Sequence, residues 1–303
     1  MAKLLIFWGS YAYFPVLFLC GWAIIHGGKR RWLAIVALIP LTILAYARFV
    51  EPRILNVHEA EIVLPGASET SPSIRIALIA DLHYGVYRNA MPMRRITDEI
   101  KRQDVDAVFI AGDFTYHIWA TKLPEVLGAL TELDVPVYAV LGNHDVGFPG
   151  PDVGSPLAIE LRALGVTVLD NQAVDVVLGG QAVSVAGSSD LWQGRQHFDY
   201  SNERAETPVL LLTHNPDTAA HVPQDFTYDL MLSGHTHGAQ IRLPGMVQRV
   251  IPTTWPFDKG LHIYPSEAGE RLIYVTPGTG MVGLPMRFRM PPRIDVLTVH
   301  LPE

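Results

Sequence analysis

The stretch YDLMLSGHTHG, residues 228–238, carries a short apolar run into two histidines, His235 and His237, set one residue apart between glycines. An apolar run of this length closed by turn residues reads as a buried strand. Taken alone the histidines could be a polar loop. Four other runs end in the same manner: IRIALIA before DLHYG (residues 74–85), DAVFIA before GDFTY (106–116), PVYAV before LGNHD (136–145) and PVLLL before THNPD (208–217). Five strand-like runs therefore end in five polar clusters.

Helical patterns at residues 91–102 (MPMRRITDEIKR) and 121–133 (TKLPEVLGALTEL) separate the first three runs, which argues for βαβ crossovers and sheets covered by helices. The segment AVDVVLGGQAVSVAG (173–187) alternates and turns at Gly179-Gly180, as a hairpin does. The expected architecture is α/β, two packed mixed sheets flanked by helices. In open α/β sheets ligands gather outside the carboxyl ends of strands, where all five clusters fall.

The clusters supply Asp81 and His83, Asp113, Asn143 with His144 and Asp145, His214, and His235 with His237. An extended backbone would turn each pair spaced by two to one face. Oxygen and imidazole ligands together suit Zn, Mn or Fe rather than Ca or Mg alone. Singly, each element has a plainer explanation: Gly-Asp is a common turn, Asn-His-Asp could cap a helix, and a lone histidine is usually structural. Their order, each after an apolar run, makes them one metal-site inventory.

The chain has 303 residues, 49% of them hydrophobic, enough for one catalytic domain of about 250 residues. The first fifty residues stand apart. An uncharged run at 4–25 and a second apolar run at 32–47 flank the basic turn HGGKRR. The first run has the roughly 20 residues a bilayer requires, and the second reaches that length if Arg48 snorkels to the interface. The alternative is a signal peptide followed by a buried helix. A transmembrane helical hairpin over 1–53 is expected, with a strand and a Ser- and Pro-rich linker over 54–73 and the catalytic domain over 74–303. Lys29, Arg30 and Arg31 favour a cytoplasmic turn, which puts the domain on the outer side of the cell (inner) membrane.

Residues 1–53 hold six Lys/Arg and one acid, leaving 17 basic and 29 acidic residues, net charge −12, for the rest. Counterion release from a phosphate backbone needs a cationic surface, so nucleic acid is not an expected partner. The single cysteine, Cys20, excludes an internal disulfide.

In this order, DLH, GD, GNHD, a lone histidine and GHTH resemble the calcineurin-like metallophosphoesterases, over roughly Ile74 to the C-terminus. GHTHGAQIRLPG, VTPGTG and GLPMRFRMPP further resemble the membrane-attached bacterial branch. The resemblance implies a four-layer αββα sandwich carrying two divalent metal ions. It implies Asp81, His83 and His237 on one metal, Asn143, His214 and His235 on the other, and Asp113 as the bridging carboxylate. A carboxylate oxygen can bind two cations at once, whereas a neutral amide adds only a weak ligand. Gly-Asp is followed here by FTYHIW, unlike the protein Ser/Thr phosphatases, so that substrate class is not indicated. Two metals would clamp a phosphate and lower the pKa of a bridging water to give the attacking hydroxide. His144 would contact the phosphate or protonate the leaving oxygen, with Asp145 fixing its tautomer.

Asp190, Trp192, Arg195 and His197 could line the pocket or form a surface loop. His26, His58, His117, His221, His262 and His300 are expected to be non-ligands. Met246, Val247, Val250, Ile251, Trp255 and Phe257 make an apolar segment, and Arg287, Arg289 and Arg293 a basic one. Part of this serves core packing, and with an anchor upstream a membrane-facing lip is also expected. The expected function is a membrane-anchored metallophosphoesterase acting on a phosphodiester or pyrophosphate, including lipid-linked ones such as UDP-diacylglucosamine. Soluble nucleotides, a nuclease and a metal-binding module without turnover are the alternatives.

Overall fold

The strands Ser73–Ile79, Ala107–Ala111 and Val137–Val140 are apolar along almost their whole length because both faces are covered. In the computed structural model, which describes residues 2–87, 90–199, 207–266 and 269–302, they belong to a six-stranded sheet. Its order is Asn56–Val63, Arg293–His300, Ser73–Ile79, Ala107–Ala111, Val137–Val140, Thr167–Val168. A second six-stranded sheet runs Gly260–Ser266, Gly269–Val275, Leu230–Ser233, Val209–Leu212, Gln181–Gly187, Gln172–Leu178.

Side-chain alternation sorts the layers. Ile76, Leu78, Phe109 and Val140 face inward and meet Val183, Leu210, Leu212, Leu230 and Leu232 of the other sheet. Their neighbours Ala77, Ile79, Val108 and Ile110 face outward onto Ile96 and Ile100 of the helix Met93–Ile100 and Leu157 and Leu161 of the helix Gly154–Ala163. On the far side, Leu211, Met231 and Ile273 pack under Ala219, Phe226 and Phe257. That outer layer is thin, a 3₁₀ turn Pro216–Ala220 with loops. The chain is thus a mixed α/β sandwich of two sheets, covered by helices on one side and by a 3₁₀ turn with loops on the other, so the outermost layer of the expected αββα sandwich is only partly helical.

The strands Gln172–Leu178 and Gln181–Gly187 form the expected hairpin, antiparallel about Gly179 (φ 53°) and Gly180 (φ 81°), which take the left-handed turn that side-chain-bearing residues resist. The strand Asn56–Val63 pairs along its length with Arg293–His300. The sheet therefore begins upstream of Ile74, where composition put the start of the catalytic body.

The N-terminal residues form two apolar helices, Ala2–His26 and Arg31–Arg53, each long enough to cross a bilayer. They pack on one another and leave Phe18, Ile25 and Leu33 more than 70% exposed. Arg48 differs from expectation. It does not reach outward but is 2% exposed, its Nε donating to Ser10 Oγ at 2.8 Å and its guanidinium lying 4.8 Å from the Phe7 ring and 5.0 Å from that of Phe49. Aromatic faces on both helices attract the cation. The helix end also meets the domain: Arg287 N–H donates to Ala47 O, and Met290 N–H to the Glu51 carboxylate at 2.6 Å.

Candidate metal centre

The polar residues that follow five of these strands converge at the strands' carboxyl ends. Asp81, His83 and His237 form one group of buried ligand atoms, and Asp113, His214 and His235 another, the atoms within each group lying within 4.8 Å of one another. The two groups adjoin: Asp113 Oδ2 is 3.3 Å from His214 Nε2 and 3.5 Å from His83 Nε2. Asn143 Oδ1 is 3.0 Å from His214 Nε2, which joins the amide to the second group. All seven side chains proposed from the motifs meet here.

The local geometry differs from the extended backbone assumed for the pairs spaced by two. Asp81 (φ 54°), His83 (φ 50°), Asp113 (φ 54°), His235 (φ 71°) and His237 (φ 52°) all adopt left-handed conformations. Each lies beyond its strand, where the chain turns sharply and the side chain swings toward the centre. Non-glycine residues resist this region by about 1–2 kcal/mol each, so the surrounding packing must hold them there. Part of that hold is visible at Gly142, where any Cβ would lie 2.2 Å from Asp113 Oδ1. Backbone amides complete it: His144 N–H donates to Asp113 Oδ1 at 2.9 Å, and His235 N–H donates to the Asp81 carboxylate at 3.1 Å.

The electrostatics call for cations. Burial pushes the Asp81 carboxyl up to about 7, against the pull of His214. Burial also opposes ionisation of Asp113, yet His214, through its charge and its hydrogen bond, together with His83 and His144, holds it well below the usual carboxylate range. His214 in turn is penalised by burial but raised to about 10 by Asp113, Asp81 and Asp190. Burial pulls His83 and His235 down to about 3 and His237 well below its ordinary value, so these imidazoles are neutral and offer lone pairs. The Nε2 atoms of His83 and His237 face each other at 3.0 Å. Converging lone pairs beside buried carboxylates fit a metal cation, which satisfies both more fully than one proton on His214. His214 is oriented for this by its Nδ1–H, which donates to Ala111 O at 2.8 Å and leaves Nε2 as the ligand atom.

His144 sits at the edge of the cluster, its ring 5.1 Å from His83. Its Nδ1 is 3.0 Å from Pro149 O and donates to it, so Nε2 remains for a substrate. The role expected for Asp145 is corrected. Its carboxylate does not touch His144 but accepts from Gly142 N–H, Phe114 N–H, Thr115 N–H and Thr115 Oγ1 at 2.7–3.2 Å. Those four donors exhaust its lone pairs, so it staples the loop after Ala107–Ala111 to the loop after Val137–Val140. Pro149 sets the tautomer instead.

Trp192 stands edge-on to His235 with ring centroids 4.7 Å apart, and Asp190 is buried and caps Trp192 N–H. Arg195 and His197 are exposed away from the ligands. The basic segment is largely internal: Arg293 pairs with Asp295 at 2.8 Å, and Arg287 is fully buried, donating to the carbonyls of Gly280, Met290, Pro277 and Gly278. Only Arg289 of the three is exposed.

The centre opens into a cavity of 720 Å³. Asp113, Asn143, His144, His235 and His237 form one end, and Ile241, Leu243, Met246, Val250, Val282 and Leu284 line a wall that leads away from it. Ile251 and Phe257 of the apolar segment are buried in packing, whereas Leu243, Met246, Val250 and Leu284 are more than 40% exposed. Lys3 and Tyr116 also border the cavity; nothing in the local sequence around Lys3 marked it.

Buried carboxylate and imidazole groups at the strand ends of a two-sheet sandwich, open to a substrate-sized cavity, form a site whose donors fit divalent metal ions. A family model described as calcineurin-like phosphoesterase matches residues 74–239. Phosphodiesterase YaeI of Escherichia coli (strain K12) is 33% identical over 236 residues, 76% of this chain and 83% of its own. The uncharacterized metallophosphoesterase YkuE of Bacillus subtilis (strain 168) is 30% identical over 264 residues, covering 84% and 88%. UDP-2,3-diacylglucosamine pyrophosphatase LpxG of Chlamydia muridarum is 24% identical over 327 residues, covering 89% and 97%. The chain belongs to the calcineurin-like phosphoesterases, hydrolases of phosphoester bonds.

Proposed function

We propose that this protein is a membrane-anchored dinuclear phosphodiesterase or pyrophosphatase whose substrate is lipid-linked. The observation that carries the reading is the cavity, which joins the metal centre at one end to the exposed apolar wall of Leu243, Met246, Val250 and Leu284. A soluble nucleotide has no use for that wall, whereas an acyl or isoprenoid chain buries apolar area on it at about 25 cal/mol per Å². The two apolar N-terminal helices and the similarity to LpxG, named for a lipid-linked pyrophosphate, support the same reading.

Asp81, His83 and His237 would hold one divalent ion, Asn143, His214 and His235 the other, with Asp113 between them; the donor set suits Zn, Mn or Fe. When bound, the ions supply the charge that draws in the phosphate and acidify a water for in-line attack on phosphorus. His144, neutral because burial depresses it, takes a proton at Nε2 as the anionic substrate arrives. It hands that proton to the leaving oxygen as the P–O bond breaks, while Pro149 O keeps Nδ1 protonated and the ring in place. The anchor spans residues 1–53, and the cationic turn at 29–31 favours a domain on the outer face of the inner membrane. Protease added to intact spheroplasts should digest the chain beyond Arg53; protection until lysis would reverse that orientation.

The decisive measurement is hydrolysis of phospholipids, nucleotide-lipids and free nucleotides by metal-loaded, full-length protein in lipid. Faster turnover of a lipid-linked phosphodiester or pyrophosphate is expected. Preference for free nucleotides would overturn the lipid assignment, and two bound metals without turnover on any substrate would indicate a binding module.

A further inference from the structure

The cavity has a third border besides the metal centre and the apolar wall: the first N-terminal helix, which contributes Lys3. Lys3 Nζ donates to His117 Nε2 at 2.7 Å and lies 3.8 Å from the centroid of the Tyr116 ring. Tyr116 in turn packs edge-on against His144 and His83, with centroids 5.0 and 5.4 Å away. The ammonium is therefore one aromatic ring removed from the hydrolytic centre.

Its partners matter as much as its position. A neutral imidazole and a π face hold the ammonium without cancelling its charge, and among the described residues no carboxylate pairs with it. Lys3 is also the only lysine or arginine among the described residues lining the cavity. Every other lining residue comes from the part of the chain beyond residue 53, which carries a net charge of −12, so Lys3 brings positive charge from the N-terminal helix to an acidic domain.

The helix is fixed where it is. Phe7 is 2% exposed, stacks on Tyr87 with centroids 5.7 Å apart, and shares a buried cluster with Tyr116 and Met281. Arg48 covers it from the second helix.

We propose that Lys3 is a substrate-binding residue, which grips a second anionic group next to the scissile phosphate and makes the site selective for pyrophosphate-type substrates over singly charged diesters. The first helix is then a wall of the active site as well as a tether. The proposal rests on the hydrolytic reading of the metal centre. A diester presents one negative charge, which the metals and His144 meet; a pyrophosphate presents a second, which needs a cation outside the metal cluster.

The test uses full-length, metal-loaded protein in lipid, with Lys3→Met and Lys3→Arg. The rate assay follows bis(p-nitrophenyl) phosphate, with inorganic pyrophosphate as competitor. Losing one charge-assisted contact weakens binding about tenfold, so Lys3→Met should raise the pyrophosphate Ki about tenfold. It should raise KM for the diester by less, with kcat the least affected, and Lys3→Arg should recover most of the pyrophosphate affinity. Calorimetric titration with pyrophosphate reads the same contact when no substrate is turned over, so failure of this proposal is distinguishable from failure of the hydrolytic reading. Equal pyrophosphate affinity in wild type and Lys3→Met would overturn it. So would equal losses for both anions, or failure of Lys3→Arg to restore binding, since these mark a structural lysine.

Discussion

At one end of the cavity, seven buried side chains from short motifs are locked by backbone amides and by turns that allow little movement. At the other, an apolar wall is assembled from two segments, residues 239–252 with their short helix Val247–Val250 and residues 282–284, with the N-terminal helix at its edge. The first end carries charge and is shielded from water; the second is open and apolar. Chemistry that must hold metal ions needs the rigid end, because displacing a ligand leaves buried charge unpaired. Choice of substrate can be left to the loose end, where a changed side chain alters fit without disturbing the ligands.

Substitutions at the two ends should therefore fail differently. Asp113→Asn removes the charge shared by both groups, and the loss of several kcal/mol of electrostatic stabilisation corresponds to about a thousandfold fall in kcat. Elemental analysis should show metal lost with activity. His144→Ala should lower kcat about a hundredfold, as expected for removal of a general acid, while both metals stay. Metal loss as severe as in Asp113→Asn would make His144 part of the rigid end.

Val250→Asp changes only the wall. It should weaken KM for a lipid-linked substrate about tenfold by placing a charge where an acyl chain would lie, and leave a soluble diester within about twofold. Equal losses on both substrates would dissolve the distinction between the ends. The mildest effect is expected from Arg48→Ala, which removes a buried cation from the Phe7, Tyr11 and Phe49 rings. Thermal unfolding in detergent should report a loss of about 1–2 kcal/mol, with metal content unchanged.

The meeting of the seven side chains at the rigid end was legible in the sequence because each proposed ligand follows an apolar run and the runs are strands of one sandwich. What could not be read there is how the ligands turn inward. Spacing by two suggested an extended backbone for Asp81 with His83 and for His235 with His237, whereas left-handed φ values direct them. Asp145 looked like a partner for its neighbour His144, but its four donors come mainly from residues 114–115, about thirty positions away. The sequence groups Arg287 with Arg289 and Arg293 in one basic segment shared between core packing and a membrane-facing lip, and does not say which of the three is internal; the burial of Arg287 depends on carbonyls gathered by the folding of residues 277–290. At the loose end, Met246 and Val250 stand out in the sequence as part of an apolar segment, but the place of the N-terminal helix beside them does not. Lys3 and His117 are separated by 114 residues, and no local pattern announces that meeting.

The strand Arg293–His300 lies between Asn56–Val63 and Ser73–Ile79, parallel to one and antiparallel to the other. Translation makes the two outer strands early and the one between them late. All seven proposed ligands, the last of them His237, leave the ribosome before residue 293. A nascent chain can thus hold every proposed ligand while its first sheet stays open, with two unpaired strand edges beside the apolar hairpin. Completion of the first sheet waits on a segment that contributes no proposed ligand, and a message cut short between codons 238 and 293 would encode all seven proposed ligands without the strand that closes that sheet.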